Sequence, residues 1–494
     1  MTHSTYDNQT PVIAGFHPDP SICRRGDDYY LATSSFEYFP GVPLFHSRDL
    51  VTWEQIGNVL DRPGQLPPGA DDASRGIYAP TLRFHDGRFW LITTNVSQGA
   101  GHLLVTATDP AGPWSDPVHL DGTAGIDPDI AWDETGQCYV TWHSDDPSGI
   151  VQARADPETG TLLEPPRALW SGTGLAWPEG PHLYHRDGWW YLLIAEGGTG
   201  RGHSVSIARS RDITGPFQGA PGNPVLSHRS TTHPVQNTGH ADLVERPDGS
   251  WAAVYLGVRP RGTTPQFHVN GRETFLAAVD WHDGWPVFHE SRIAVPATDH
   301  SFADDLRSPR LHPRWVSPGS APADLVERGG PGPARLLATP GPRDLLAVRT
   351  RDDTWTFEAT VTLTHGEFRL LLRLDDRHWC ALGATPGTVT ARLRIGPAEV
   401  VLATATVADS GPTTLRLSSR PPSDGGPDDI ELGVGRASAY RRLARFDGRY
   451  LSTEVAGGFT GRVIGLRAVT APVTIHRVEY SAGPVLLDCT IAVP

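Results

Sequence analysis

Over the first 290 residues apolar positions alternate with polar ones in short runs. Glycine and proline break the runs, and no long segment shows the 3.6-residue period of a helix. Strands are therefore predicted. One pattern occurs five times: a short apolar run, a turn, then a run rich in aromatic and apolar residues. Its copies are SICRRGDDYYLATSS, TLRFHDGRFWLITTN, DIAWDETGQCYVTWH, HLYHRDGWWYLLIAE and DLVERPDGSWAAVYL. The turn glycines are Gly26, Gly87, Gly136, Gly188 and Gly249, at spacings of 61, 49, 52 and 61 residues. Each copy reads as a β-hairpin with a Gly-containing turn. Five hairpins repeated at such a period indicate the blades of a β-propeller.

The pattern ends near Phe288. A proline-rich passage follows, HESRIAVPATDHS and then DLRSPRLHPRW, and it reads as a linker. Beyond it, TWTFEATVTL, EFRLLLRL, TVTARLRI, EVVLATATV and TIHRVEYSAG alternate with a two-residue period, as in a β-sandwich. The expected fold class is all-β: a five-bladed β-propeller over 1–295, a linker over 296–316, and a concanavalin-like β-sandwich over 317–494. The segment SSRPPSDGGPDD reads as a polar, mobile loop.

Composition narrows the chemistry. The net charge is 42 − 56 = −14, which argues against nucleic acid or an anionic membrane as partner. The chain has no lysine, so Schiff-base and P-loop chemistry are excluded. The four cysteines, Cys23, Cys138, Cys380 and Cys489, show no zinc spacing, and Cys23 and Cys138 read as buried free thiols. There is no signal-peptide pattern in MTHSTYDNQTPV and no long apolar run, so a cytoplasmic protein is expected.

Chemistry enters through position. Nine residues before the turn glycine stand Tyr78, Asp127, Glu179 and His240 in four copies, and Asp19 is seven before Gly26. These five residues are expected at one equivalent place, the entrance of each blade's first strand, and hence to converge at one end of the propeller axis. Asp19 is set between Pro18 and Pro20, just after His17. Three carboxylates brought together cost stability and shift each other's pKa, which fits a reactive site better than five separate turn caps.

The segments GFHPDPS, SSFEYFPGVPLFHSRDLVTW, GIYAPTLRFHDG, GIDPD, WPEGPHLY, TGHADLV and GRETFL run in order from Pro11 to about Phe288. In them the chain resembles glycoside hydrolase family 43, the β-xylosidase and α-L-arabinofuranosidase group. The resemblance implies a five-bladed propeller with Asp19 as general base, Asp127 as pKa modulator and Glu179 as general acid. It implies that Arg272 contacts the sugar and one carboxylate, and that Phe36 forms a wall of the sugar pocket. His17 is expected at the substrate or just behind it. Tyr78 stands where xylosidase members usually have tryptophan, which alters the pocket floor. His240 has two readings: a ligand to a hydrated calcium or other divalent ion, or a hydrogen-bonded channel histidine. No cofactor is required for the chemistry. The acid is expected to enter protonated, because Trp177 and Pro178 give Glu179 an apolar setting beside Asp127. Trp189 and Trp190 read as blade core rather than as a sugar platform. GGFTGRVIGLRAV resembles the C-terminal sandwich of the same family.

The implied activity is exo-acting release of D-xylose from short β-1,4-xylo-oligosaccharides, with inversion and a side activity on α-L-arabinofuranosides. Three other readings stand beside it: an α-L-arabinofuranosidase on the same scaffold, a sugar-binding propeller without catalysis, and a retaining fructan hydrolase. The three intact carboxylates oppose the second, and His-Pro-Asp-Pro in place of Asn-Asp-Pro-Asn opposes the third. A small oligosaccharide is the expected partner, and a homo-oligomer is left open.

Overall fold

The computed structural model describes residues 10–69, 72–99, 101–146, 148–330, 332–436 and 439–483. Cys489 lies outside the described residues. The chain divides into two compact units. The first comprises 1–259 and 272–296; the second comprises 260–271 and 297–494.

The first unit is a five-bladed β-propeller. Its blades are antiparallel sheets whose first strands are Ser21–Arg25, Thr81–His85, Ile126–Trp132, Glu179–Arg186 and Gln236–Glu245. These inner strands touch one another in sequence, and the fifth touches the first, so the ring closes. The N-terminal segment joins the closure, with Val12 N donating to the Thr274 carbonyl at 2.8 Å. All five turn glycines have φ between 63° and 82°, a left-handed conformation that the tight turns demand and that only glycine adopts without strain.

Strand pairing corrects the expected equivalence. Ser21, Thr81, Asp129, His182 and Asp242 pair with the matching positions of their second strands: Ala32, Ile92, Thr141, Leu193 and Val254. Two residues before each stand Asp19, Ala79, Asp127, Gly180 and His240. Tyr78 and Glu179 are therefore one residue earlier than expected. The slip comes from the turns. Blades 2 and 4 turn through two residues, between His85 and Arg88 and between Arg186 and Trp189, whereas blades 3 and 5 turn through five. Counting from the glycine does not see that difference.

The true equivalent position has a conformational signature. Asp19, Asp127, Gly180 and His240 all have left-handed φ, at 55°, 55°, 56° and 47°. Aspartate, histidine and glycine are among the residues that tolerate this region best. In blades 4 and 5 the pairing is irregular at this point, as at a β-bulge, which re-aims a side chain.

Two residues further along, a polar belt ties the blades together. Asp242 accepts from the Ile22 N–H at 2.9 Å, Ser21 from the Leu82 N–H at 2.9 Å, Asp129 from the Leu183 N–H at 3.0 Å, and Tyr184 from the Leu243 N–H at 2.8 Å. Arg83 reaches both carboxylates at 2.8 Å. Burial is therefore compensated by pairing, and Asp242 sits at about 2: burial alone would raise it, but Arg83 overrides that. Outside the belt, aromatic and aliphatic second-strand residues fill the space between blades. Trp190 is buried there, and Trp189 packs under the Arg209 and Arg211 guanidinium groups.

The second unit is a sandwich of an eight-stranded and a six-stranded sheet. Trp355–Thr362 alternates buried and half-buried along its whole length, the period-two pattern its sequence shows. Trp355, Phe357, Leu370, Leu382, Leu415 and Ile464 belong to one core. Two expectations need revision here. The passage 296–316 is more than a connector: Phe302–Asp304 pairs with Val473–Ala482, and Leu306 and Trp315 are buried in the sandwich core. Residues 260–271, inside the stretch assigned to the propeller, belong to this unit, where Arg462 N donates to the Val269 carbonyl at 3.1 Å. The polar loop at 418–429 is also anchored, because buried Asp428 pairs with Arg462 at 2.6 Å. No described helix is long and apolar enough to cross a membrane.

Candidate active site

Asp19 is held by three neighbours. Arg272 Nη1 donates to Oδ1 at 3.0 Å, Ser34 Oγ donates to Oδ2 at 2.5 Å, and His240 Nδ1 is 3.8 Å from Oδ1. Burial pushes the Asp19 pKa up, but Arg272, His240 and Ser34 together outweigh it, and the carboxyl ends below its ordinary value. The flanking prolines make sense here. Pro20 leads into the first strand, and the Pro18 carbonyl accepts from Ser34 N at 3.1 Å, so the left-handed Asp19 is fixed from both sides.

Glu179 behaves in the opposite way. Burial, then the charge of Asp19, raise its pKa to about 7, and Arg272 opposes them. Asp127 is also raised, first by burial and then by Glu179 and Asp19, although the Gly180 N–H donates to it. The pocket thus joins one carboxyl held ionised to two held toward their protonated forms. Trp177 itself is 62% exposed.

Arg272 links the elements. It bonds Asp19 and the Thr199 hydroxyl (3.1 Å), and its guanidinium is 5.7 Å from the centre of the Phe36 ring. Phe36 meets Tyr78 edge-on at 5.8 Å. Tyr78 is half-buried, donates to the Ser74 carbonyl at 3.2 Å, and feels the charges of Asp127 and Asp19. His17, expected at the substrate or just behind it, is fully buried. It packs edge-on to Phe45, and its carbonyl accepts from Thr274 Oγ1 at 2.6 Å, so it braces the strand next to Arg272 from behind.

Sequence reasoning did not single out Ser34, Thr199, His143 or His203. His143 Nδ1 donates to the Pro178 carbonyl at 2.7 Å, which fixes the peptide before Glu179. His203 Nδ1 donates to the Asn237 carbonyl at 3.0 Å, and Nε2 is 4.0 Å from Glu179 Oε1. Burial lowers the pKa of His203 to about 4, so a neutral ring faces the acid. The ring occupies the place of a side chain at Gly239, whose Cβ would stand 2.2 Å from it. Only the glycine of TGHADLV hinted at this close approach.

His240 lies deep in the channel, with Nδ1 3.8 Å from Asp19 Oδ1. Its ring is neutral, lowered to about 4 mainly by burial. The nearby Asp19 is already engaged by Arg272 and Ser34. Among the described residues no group of three or more His, Cys, Asp or Glu could hold a metal ion.

A propeller that brings together one carboxyl with a lowered pKa and one with a raised pKa can supply the base and the acid of glycosidic bond cleavage. The model of "Glycosyl hydrolases family 43" matches residues 8–286. The chain is 38% identical to a non-reducing end α-L-arabinofuranosidase of Bacteroides ovatus, over 95% of this chain and 92% of that protein. It is 51% identical to a xylosidase/arabinosidase of Butyrivibrio fibrisolvens, over 56% of this chain but only 55% of that protein's length. Among solved structures, the Bacteroides ovatus xyloglucan PUL GH43B superposes with a TM-score of 0.88 at 36% identity, covering 96% of this chain and 99% of the other. A xylan β-1,4-xylosidase from Bacillus halodurans superposes with a TM-score of 0.86 at 29% identity, covering 96% and 100%. The chain belongs to glycosyl hydrolase family 43.

Proposed function

We propose that this glycosidase is exo-acting and releases D-xylose from short β-1,4-xylo-oligosaccharides, with a side activity on α-L-arabinofuranosides. The observation that carries this reading is the opposed titration of Asp19 and Glu179 in one pocket. Asp19 is the general base. It takes a proton from water as the water oxygen attacks the anomeric carbon. Glu179 is the general acid. It gives its proton to the glycosidic oxygen as the carbon–oxygen bond breaks, and displacement from the opposite face inverts the configuration. Asp127 is the pKa modulator: it is buried beside Glu179, and the charge of Glu179 raises the Asp127 pKa. Arg272 holds Asp19 and the sugar, and Phe36 and Tyr78 wall the pocket. No step runs through a metal ion. A chelator decides between the two readings of His240: activity lost and restored by calcium makes it a ligand, and activity kept makes it a hydrogen-bonded channel histidine.

The xylosidase/arabinosidase, α-L-arabinofuranosidase and xylan β-1,4-xylosidase among the relatives support both xylose and arabinofuranose as glycones. Tyr78 supports the second reading, an α-L-arabinofuranosidase, because a ring smaller than tryptophan leaves room for a furanose hydroxymethyl group. Xylobiose and an arabinosylated oligosaccharide assayed side by side decide between them. Faster release of xylose is expected, and arabinose without xylose overturns the leading reading. A cytoplasmic setting belongs to the proposal: Cys23, Cys138 and Cys380 are free and buried, as suits a reducing compartment. The oligomeric state is left open and is readable by light scattering.

A further inference from the structure

We propose that Trp177 is the platform for the departing sugar, the residue on the far side of the bond that Glu179 protonates. The proposal rests on the reading of Glu179 as the acid.

Side-chain exposure sets a direction through the pocket. It is 7% for Asp19 and 20% for Glu179, while Trp177, two residues before the acid, is 62% exposed over the whole residue. The sugar that is attacked lies at the deep carboxylate. The oxygen that is protonated lies at the shallower one, so the leaving group extends outward from Glu179. Two residues span at most about 7 Å, so the backbone of Trp177 stands close to that of Glu179.

Trp177 is also held where it is. Its φ is +55°, a left-handed conformation uncommon for a bulky residue. The carbonyls on both sides are tied down: Ala176 O accepts from Gly197 N at 2.6 Å, and Pro178 O from His143 Nδ1 at 2.7 Å. Upstream in the same loop, Thr173 donates to buried Glu196 through its backbone and its hydroxyl, at 3.0 and 2.6 Å. The indole rests on the loop after Glu196. A Cβ on Gly198 would stand 3.3 Å from its Cδ1, and the next residue, Thr199, bonds Arg272. An exposed tryptophan in a strained, anchored backbone gains no burial from that arrangement. A flat apolar face fixed at the mouth of a sugar pocket does gain a function, because the ring faces of a pyranose stack on it.

The test compares two substrates in wild-type enzyme, Trp177→Ala and Trp177→Phe. Xylobiose has a sugar as leaving group, and β-D-xylosyl fluoride has none. For Trp177→Ala, kcat/KM on xylobiose is expected to fall about tenfold. Turnover of the fluoride should be unchanged, and Trp177→Phe should keep most of the xylobiose activity. Equal losses on both substrates, or no loss on xylobiose, overturn the proposal. Wild-type enzyme that turns over neither substrate sinks the parent reading instead, and this one with it.

Discussion

Gly180 and His240 share one space in the propeller channel. A Cβ on Gly180 would stand 2.8 Å from Cε1 of the His240 ring and 3.0 Å from Nδ1, and that Nδ1 is 3.8 Å from Asp19 Oδ1. The residue following the acid is therefore a glycine for two reasons: its φ of +56° and the ring that fills the place of its side chain. Gly180→Ala is expected to cost about 1–2 kcal/mol in stability from the backbone alone. It should also push His240 against the base, so kcat should fall at least tenfold while the folded far-UV spectrum is kept. Full activity in that variant would contradict the packing described here.

Glu179 is assigned as the acid, and leaving-group chemistry isolates that role. A nitrophenolate departs without being protonated, whereas a sugar alkoxide needs the proton. Glu179→Ala should lose much more activity on xylobiose than on nitrophenyl xyloside, and Asp19→Ala should lose both alike. If Glu179→Ala slows both substrates by one factor, the acid lies elsewhere.

The pH profile follows from the opposed carboxyls. Asp19 must be ionised and its pKa is lowered, so the acidic limb of kcat/KM should fall below the ordinary carboxylate range. Glu179 must be protonated and titrates at about 7, so activity should decline through neutrality as the pH rises. Arg272 lowers the pKa of both groups. Removing it in Arg272→Ala should therefore shift both limbs upward together, along with a loss of rate. Movement of one limb alone, or of neither, would disprove the shared influence of this guanidinium.

Much of this was legible in the sequence for physical reasons. Strand alternation and turn glycines are local signals, and Gly26, Gly87, Gly136, Gly188 and Gly249 do mark hairpin turns. The three acidic residues stood out because charge at a repeat position is costly. What failed was the count. Hairpin turns of two and five residues shift the register by one, and so Ala79 and Gly180, not Tyr78 and Glu179, share the place of Asp19. The groups that hold the site, Ser34, Thr199 and His203, act through contacts distant in sequence and have no local pattern. His17 braces the strand next to Arg272 from behind, a placement that its adjacency to Asp19 along the chain does not reveal.

The belt beneath the site yields the last prediction. Arg83 is the counter-charge for two fully buried carboxylates, Asp129 and Asp242, each at 2.8 Å. In Arg83→Met the apolar volume is largely kept, but both acids lose their cation. Breaking a buried pair in this way typically costs about 3–5 kcal/mol, measurable by urea denaturation at pH 7. The pH dependence distinguishes this cause from a simple packing defect. In the wild type the folded pKa of Asp242 lies below its unfolded value. Its stabilisation is therefore complete above the ordinary carboxylate range and fades as the pH falls toward about 2. In the variant the orphaned Asp242 carboxyl loses the charge that lowers its pKa and, being buried, prefers its proton, so acid relieves the penalty. The stability gap between the two proteins should narrow steadily from pH 6 toward pH 3. A gap that stays constant with pH would mean that Arg83 contributes shape rather than charge.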